Sequence, residues 1–149
     1  MKKSGLLIGR RAVLHMPAVL AVAASPAAFA GTTPAAKDAN LYLITPYDGQ
    51  RLRGPFWCRF GLRNMGVAPA GVVTPNTGHH HLLIDVDEPL NTEVAIMADK
   101  KHVHFGAGQT ETRLELPPGR HTLQLVLGDT SHVPFDPPVT SRRITITVL

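Results

Sequence analysis

The sequence predicts an all-β domain, an immunoglobulin-like sandwich of about seven strands, and three observations lead there. From residue 41 onward apolar and polar residues alternate over short segments; each segment ends at Gly, Pro, Asn or Asp; and no window sustains a 3.6-residue period long enough for a helix. About seven short strands in roughly 110 residues suit two sheets that bury alternate faces against each other. A small β-barrel fits the same pattern and is the alternative.

The elements follow in chain order. Leu41–Thr45 is an alternating strand that stops at the turn signal Tyr47-Asp48-Gly49. Pro55–Arg63 places Phe56, Cys58 and Phe60 on one face, which makes Cys58 a small core hydrophobe rather than a nucleophile. His79–Val86 is the next strand. Residues 87–101 contain Pro89 and Asp99-Lys100, so Glu93–Ala98 is expected to be a short helical or irregular crossover. Val103–Phe105 and Thr110–Leu116 flank Gly106-Ala107-Gly108-Gln109, a tight turn; without a full G-x-G-x-x-G pattern or a following helix it is a poor phosphate loop. Pro117-Pro118-Gly119 leads into His121–Leu127, and Gly128-Asp129 ends that strand. Pro134, Pro137 and Pro138 exclude a central strand before the last one, Arg142–Val148.

Ahead of these strands the chain changes character. Of the 149 residues, 15 are Lys or Arg and 11 are Asp or Glu, a formal charge of +4 that would suggest a nucleic-acid partner. Four of those basic residues, Lys2, Lys3, Arg10 and Arg11, lie in the first thirty, where no acid occurs; the remaining 11 balance the 11 acids. Nucleic acid is therefore not an expected partner. The basic residues, the apolar stretch Ala12 to Ala24 and Ala28-Phe29-Ala30 together read as an export signal over residues 1–30, cleaved before Gly31. The apolar stretch is short and broken by His15 and Pro17, so no stable membrane anchor is expected after cleavage. Gly9-Arg10-Arg11-Ala12-Val13-Leu14-His15 looks like a degenerate twin-arginine signal, with an ordinary secretory signal as the other reading. The protein is thus expected to be periplasmic or secreted, with residues 31–40 a flexible, disordered linker and 41–149 the folded domain. One cysteine forms no internal disulfide, which leaves the core to hold the fold.

Histidine is where composition becomes unusual. Seven of the eight histidines lie between residues 79 and 132: His79, His80, His81, His102, His104, His121 and His132. Strand side chains alternate between faces, so parity sorts them. His80 shares parity with Leu82 and Ile84, and His121 with Leu123 and Leu125, which puts both on core faces. His79, His81, His102 and His104 then form two H-x-H pairs on outward faces. Residues two apart on a strand are roughly 6.6 Å apart and neighbouring strands about 5 Å, so such rings can converge on one ion with bonds near 2 Å. The expected ligands are His79, His81, His102 and His104, with His80, Asp85, His121, Asp129 and His132 as additional or outer positions. Neutral imidazole without cysteine favours a copper or zinc ion, as Cu(II) or Zn(II), while Met65 and Met97 leave Cu(I) open. Histidines at strand ends also commonly bond loop carbonyls, so a metal-free hydrogen-bond network is the competing reading.

The blocks Gly78-His79-His80-His81-Leu82-Leu83-Ile84-Asp85, His102-Val103-His104-Phe105-Gly106 to Glu111, Pro118-Gly119-Arg120-His121-Thr122-Leu123-Gln124-Leu125 and Gly128-Asp129 to Pro137-Pro138-Val139 resemble a family of exported bacterial domains of unknown function. The resemblance runs from about Leu41 to Val148. It implies an exported domain built around the histidine blocks and supplies no activity. Where that family often has a histidine ahead of Asp/Asn-Pro-Pro, this chain has Phe135.

No paired carboxylates, nucleophile elbow or cofactor motif is evident, which favours a binding module over an enzyme. The sequence therefore leads to an exported metal-binding module for storage, delivery or envelope homeostasis. The alternative is a metal-free structural or interaction domain that meets an envelope protein partner.

Overall fold

The computed structural model describes residues 32–149; the expected export signal lies outside the described residues. The architecture is all-β. In chain order the strands are β1 (Asn40–Thr45), β2 (Arg51–Leu52), β3 (Phe56–Arg63), β4 (Gly66–Val67), β5 (Thr77–Ile84), β6 (His102–His104), β7 (Glu111–Leu114), β8 (Gly119–Gly128) and β9 (Ile144–Val148). The seven expected strands are all present with shifted ends, joined by the two-residue strands β2 and β4. The crossover between β5 and β6 is irregular rather than helical, and among the described residues no helix is long and apolar enough to cross a membrane.

Two sheets form a sandwich that is not closed into a barrel. The smaller has the order β1-β3-β7; the larger has the order β2-β9-β8-β5-β4, with β6 also paired to β5. β4 and β6 share the outer edge of β5: β4 lies parallel beside Thr77 and Gly78, and β6 antiparallel beside His81 to Leu83. The core between the sheets follows the alternation of the sequence. Phe56, Cys58 and Phe60 from β3 meet Leu82 and Ile84 from β5, Leu123, Leu125 and Leu127 from β8, and Ile144, Ile146 and Val148 from β9. Burial of the Cys58 thiol pushes its pKa up to about 12, in keeping with an inert core residue.

The larger sheet is also covered on its other face around β5 and the end of β8, which alternation does not reveal. Leu83 and Val126 on that outer face pack with Val86, Leu90 and Ile96 of the crossover. A second cover is the segment after β8, tied down by a bridge between Gly128 and Pro134 and by the bond from Ile96 N–H to His132 O. Consequently all of β5 beyond Thr77 is buried on both faces, and the histidines expected to face outward lie inside. Residues 32–39, a flexible linker on composition, also run against the domain. Pro34 bridges Asp136, the Ala35 N–H donates to Asp136 O, and Ala35 and Ala39 pack on the core.

Candidate metal centre

Strand register assembles the site. His81 stands opposite His104 of β6 and Val126 of β8, while His79, two residues back on the same face, stands opposite Gly128. His132 arrives from beyond β8, in a turn where its N–H donates to Asp129 O and its φ is +67°. The potential ligand atoms of His79, His81, His104 and His132 all lie within 4.8 Å of one another.

Two glycines create the space. A Cβ at Gly106 would overlap the His104 imidazole, and one at Gly128 would lie 2.9 Å from His81 Nε2 and 3.4 Å from the His132 Cα. The rings could not share this volume beside larger residues.

The arrangement suits one metal ion. His79 Nε2 lies 3.1 Å from His81 Nε2 and 3.0 Å from His132 Nδ1. Four nitrogens around an ion at about 2.0–2.1 Å would stand roughly 3.3 Å apart in a tetrahedron, close to those contacts. All six ring-centroid separations fall between 4.7 and 5.9 Å. Tetrahedral imidazole ligation places centroids roughly 5 Å apart.

Hydrogen bonding among the rings leaves nitrogens over. A neutral imidazole has one N–H and one lone pair, so His79 Nε2 cannot donate to both neighbours. His81 Nδ1 and His104 Nε2 are buried with no hydrogen-bond partner among the described residues. Such an atom costs about 1–3 kcal/mol when left unsatisfied.

Electrostatics keeps the rings ready for a cation. Burial, followed by the neighbouring rings, lowers the His79 pKa to about 4 and the His81 pKa to about 3. The same causes, burial first and then His132, lower that of His104. At neutral pH His79 and His81 therefore carry no proton that a metal must displace.

The other residues expected around the site lie elsewhere. His102 shares the face of His104 but stands opposite Leu83, two residues further along β5 than His81. Its Nδ1 is 2.9 Å from Asp99 Oδ1, and it borders an apolar cavity of about 400 Å³ under the crossover. His132 takes the fourth place instead. Asp85, expected on the face of His79 and His81, follows the end of β5 at φ +54° and turns to His121. His121, on the core side as its parity requires, has Nδ1 2.7 Å from Asp85 Oδ2 and Nε2 2.9 Å from Pro117 O. His80 is buried between the sheets against Phe60, its Nδ1 3.2 Å from Gln109 O. Burial lowers its pKa despite that bond. Asp129 carries no ring; its carboxylate accepts from the Ser131 and Val133 N–H groups and from the Thr33 hydroxyl. The signal for His132 was present in the Gly128 to His132 turn, but nothing local shows which way the turn folds.

Fold and site together define a β-sandwich with a four-histidine cluster on a covered sheet face. The chain belongs to the family described as Domain of unknown function (DUF4399), which matches residues 58–149 and so includes all four histidines. No curated protein matches the sequence. Among solved structures the chain is similar to the endo-beta-1,4-mannanase from Thermotoga petrophila, with 18% identity and a TM-score of 0.43. That likeness covers 76% of this chain and 20% of the mannanase chain.

Proposed function

We propose that this domain binds one transition-metal ion, copper or zinc, through His79, His81, His104 and His132. The observation that carries the reading is the convergence of four ring nitrogens, one from each histidine, within 4.8 Å of one another, in a cluster where the buried His81 Nδ1 and His104 Nε2 have no hydrogen-bond partner among the described residues. Four imidazoles without a thiolate suit Cu(II) or Zn(II). A set of four protein ligands is a closed sphere, the form associated with holding an ion rather than activating water. Together with the signal-like first thirty residues, this supports storage, delivery or homeostasis of a metal in the cell envelope.

The test is titration of the metal-free protein with Cu(II) and Zn(II) at pH 7, with the bound metal measured by elemental analysis. One ion per chain is expected. Absence of binding for both metals would leave a metal-free histidine network, the structural or interaction role, as the reading.

A further inference from the structure

His132 is the one member of the quartet that no strand holds, so something else must fix it. Its turn is organised by Asp129, which is 7% exposed and forms no salt bridge among the described residues. Asp129 Oδ1 accepts the N–H groups of Ser131 at 2.8 Å and Val133 at 3.0 Å, on either side of His132. The Asp129 carbonyl accepts the His132 N–H at 3.0 Å, and its own N–H donates to Val133 O at 2.9 Å. The remaining oxygen, Oδ2, accepts the Thr33 hydroxyl at 2.6 Å. Thr33 is itself laid against the same region: Thr33 O accepts the Asp136 N–H, and the Ala35 N–H donates to Asp136 O, both at 2.9 Å.

We propose that residues 32–36 act as a strap that sets the metal affinity of the four-histidine site, with Thr33 and Asp129 as positioning residues for His132. The strap reaches the site through Asp129 and Asp136. It holds the turn by its two sides, through the carboxylate and through the Asp136 backbone. His132 sits at φ +67°, an uncommon backbone conformation for a residue with a Cβ, and here the hydrogen bonds of Asp129 brace it. Release of the strap frees Asp129 Oδ2 and lets the turn relax toward ordinary backbone angles. The His132 ring is then withdrawn from the other three, which the strands still hold together. The inference rests on the metal-binding reading for its effect on affinity, but not for the strap itself.

The experiment compares the full chain with Thr33→Val, Thr33→Ser, Asp129→Asn and His132→Ala. Loss of a supporting hydrogen bond around a metal site typically costs about 10–100-fold in affinity. Thr33→Val and Asp129→Asn are expected to lower Cu(II) affinity at least about tenfold and to shift the Cu(II) electron paramagnetic resonance spectrum toward that of His132→Ala. Thr33→Ser, which keeps the hydroxyl, restores both. A merely structural role would lower stability without moving the spectrum. Amide exchange in the metal-free protein reads the strap separately: Ser131 and Val133 should exchange at least tenfold faster in Thr33→Val than in the parent. Unchanged exchange together with an unchanged spectrum overturns the strap. A parent that binds no metal overturns the function proposed above, while the exchange measurement still decides the strap.

Discussion

Single residues separate the metal reading from its competitors. His132 and His102 are the informative pair, because sequence spacing selects one and the fold selects the other. Replacement of His132 by Ala is expected to weaken Cu(II) or Zn(II) binding by on the order of a hundredfold or more, since a direct ligand outranks the supporting contacts whose loss costs about 10–100-fold. The change His102→Ala should leave affinity within about threefold, as His102 is held by Asp99 outside the cluster. Isothermal titration of the two variants reads both, and the reverse outcome would restore the spacing-based choice. His121 behaves differently from the quartet. Both of its nitrogens face oxygen acceptors, which only the doubly protonated ring satisfies. Burial disfavours that charge, but the Asp85 carboxylate and the Pro117 carbonyl outweigh it and the pKa is raised. A raised folded-state pKa stabilises the fold fully below the ordinary value of 6.5, and that contribution is lost as pH rises through the folded-state value. His79 and His81 have the opposite sign. Their lowered values stabilise the fold above 6.5, a contribution lost as pH falls toward about 4 and about 3. The metal-free protein should therefore lose stability on acidification between pH 6.5 and 4, and His121→Gln should flatten only the alkaline side. Urea unfolding across pH 4–9 checks both slopes.

At the scale of elements, register and cover decide what alternation alone cannot. Parity put His79, His81 and His104 on one side of their strands, and they share it. It also put His102 there, because two residues apart on β6 means the same face but a different partner on β5. Only the pairing of His81 with His104 and of Leu83 with His102 tells them apart, and that register is a long-range property. The cover was equally hidden. Val86, Leu90 and Ile96 stand four and six apart around Pro89, too sparse a set to mark a helix or strand face, so their packing on Leu83 and Val126 is not legible in the sequence. His132 was visible as part of a Gly-Asp turn, but its direction depends on Asp129 and on residues almost a hundred positions earlier. The glycines are the part of the site that spacing nearly reveals, since Gly106 follows His104 by two and Gly128 ends β8. Gly106→Ala should collide with the His104 ring, lower stability by about 1–3 kcal/mol as overpacking does, and weaken metal binding. Gly49→Ala, at a turn where a Cβ meets nothing within 4 Å, should leave metal affinity at the parent value despite its φ of +79°. Paired denaturation and titration of the two variants distinguish loss of the site from general destabilisation.

For the whole molecule, the fold class followed from composition and period, and the site followed from how the sheets are covered. A sandwich in which β5 is buried on both faces has to do something with the polar groups that strand carries. Here the two faces of β5 treat histidine differently: His80 enters the core beside Phe60, whereas His79 and His81 join two further rings. An ion that binds the folded state alone stabilises it by RT ln(1 + [M]/Kd), about 2.7 kcal/mol at a hundredfold excess over Kd. The unfolding midpoint should then rise by at least about 5 °C on metal addition, and the rise should vanish in His132→Ala. The most direct measurement is X-ray absorption on the Cu(II)- or Zn(II)-loaded protein. One ion per chain is expected, ringed by four nitrogen scatterers at about 2.0 Å with the outer-shell pattern of imidazole. A shell dominated by oxygen or sulfur, or protein that retains no ion at neutral pH, would contradict that expectation.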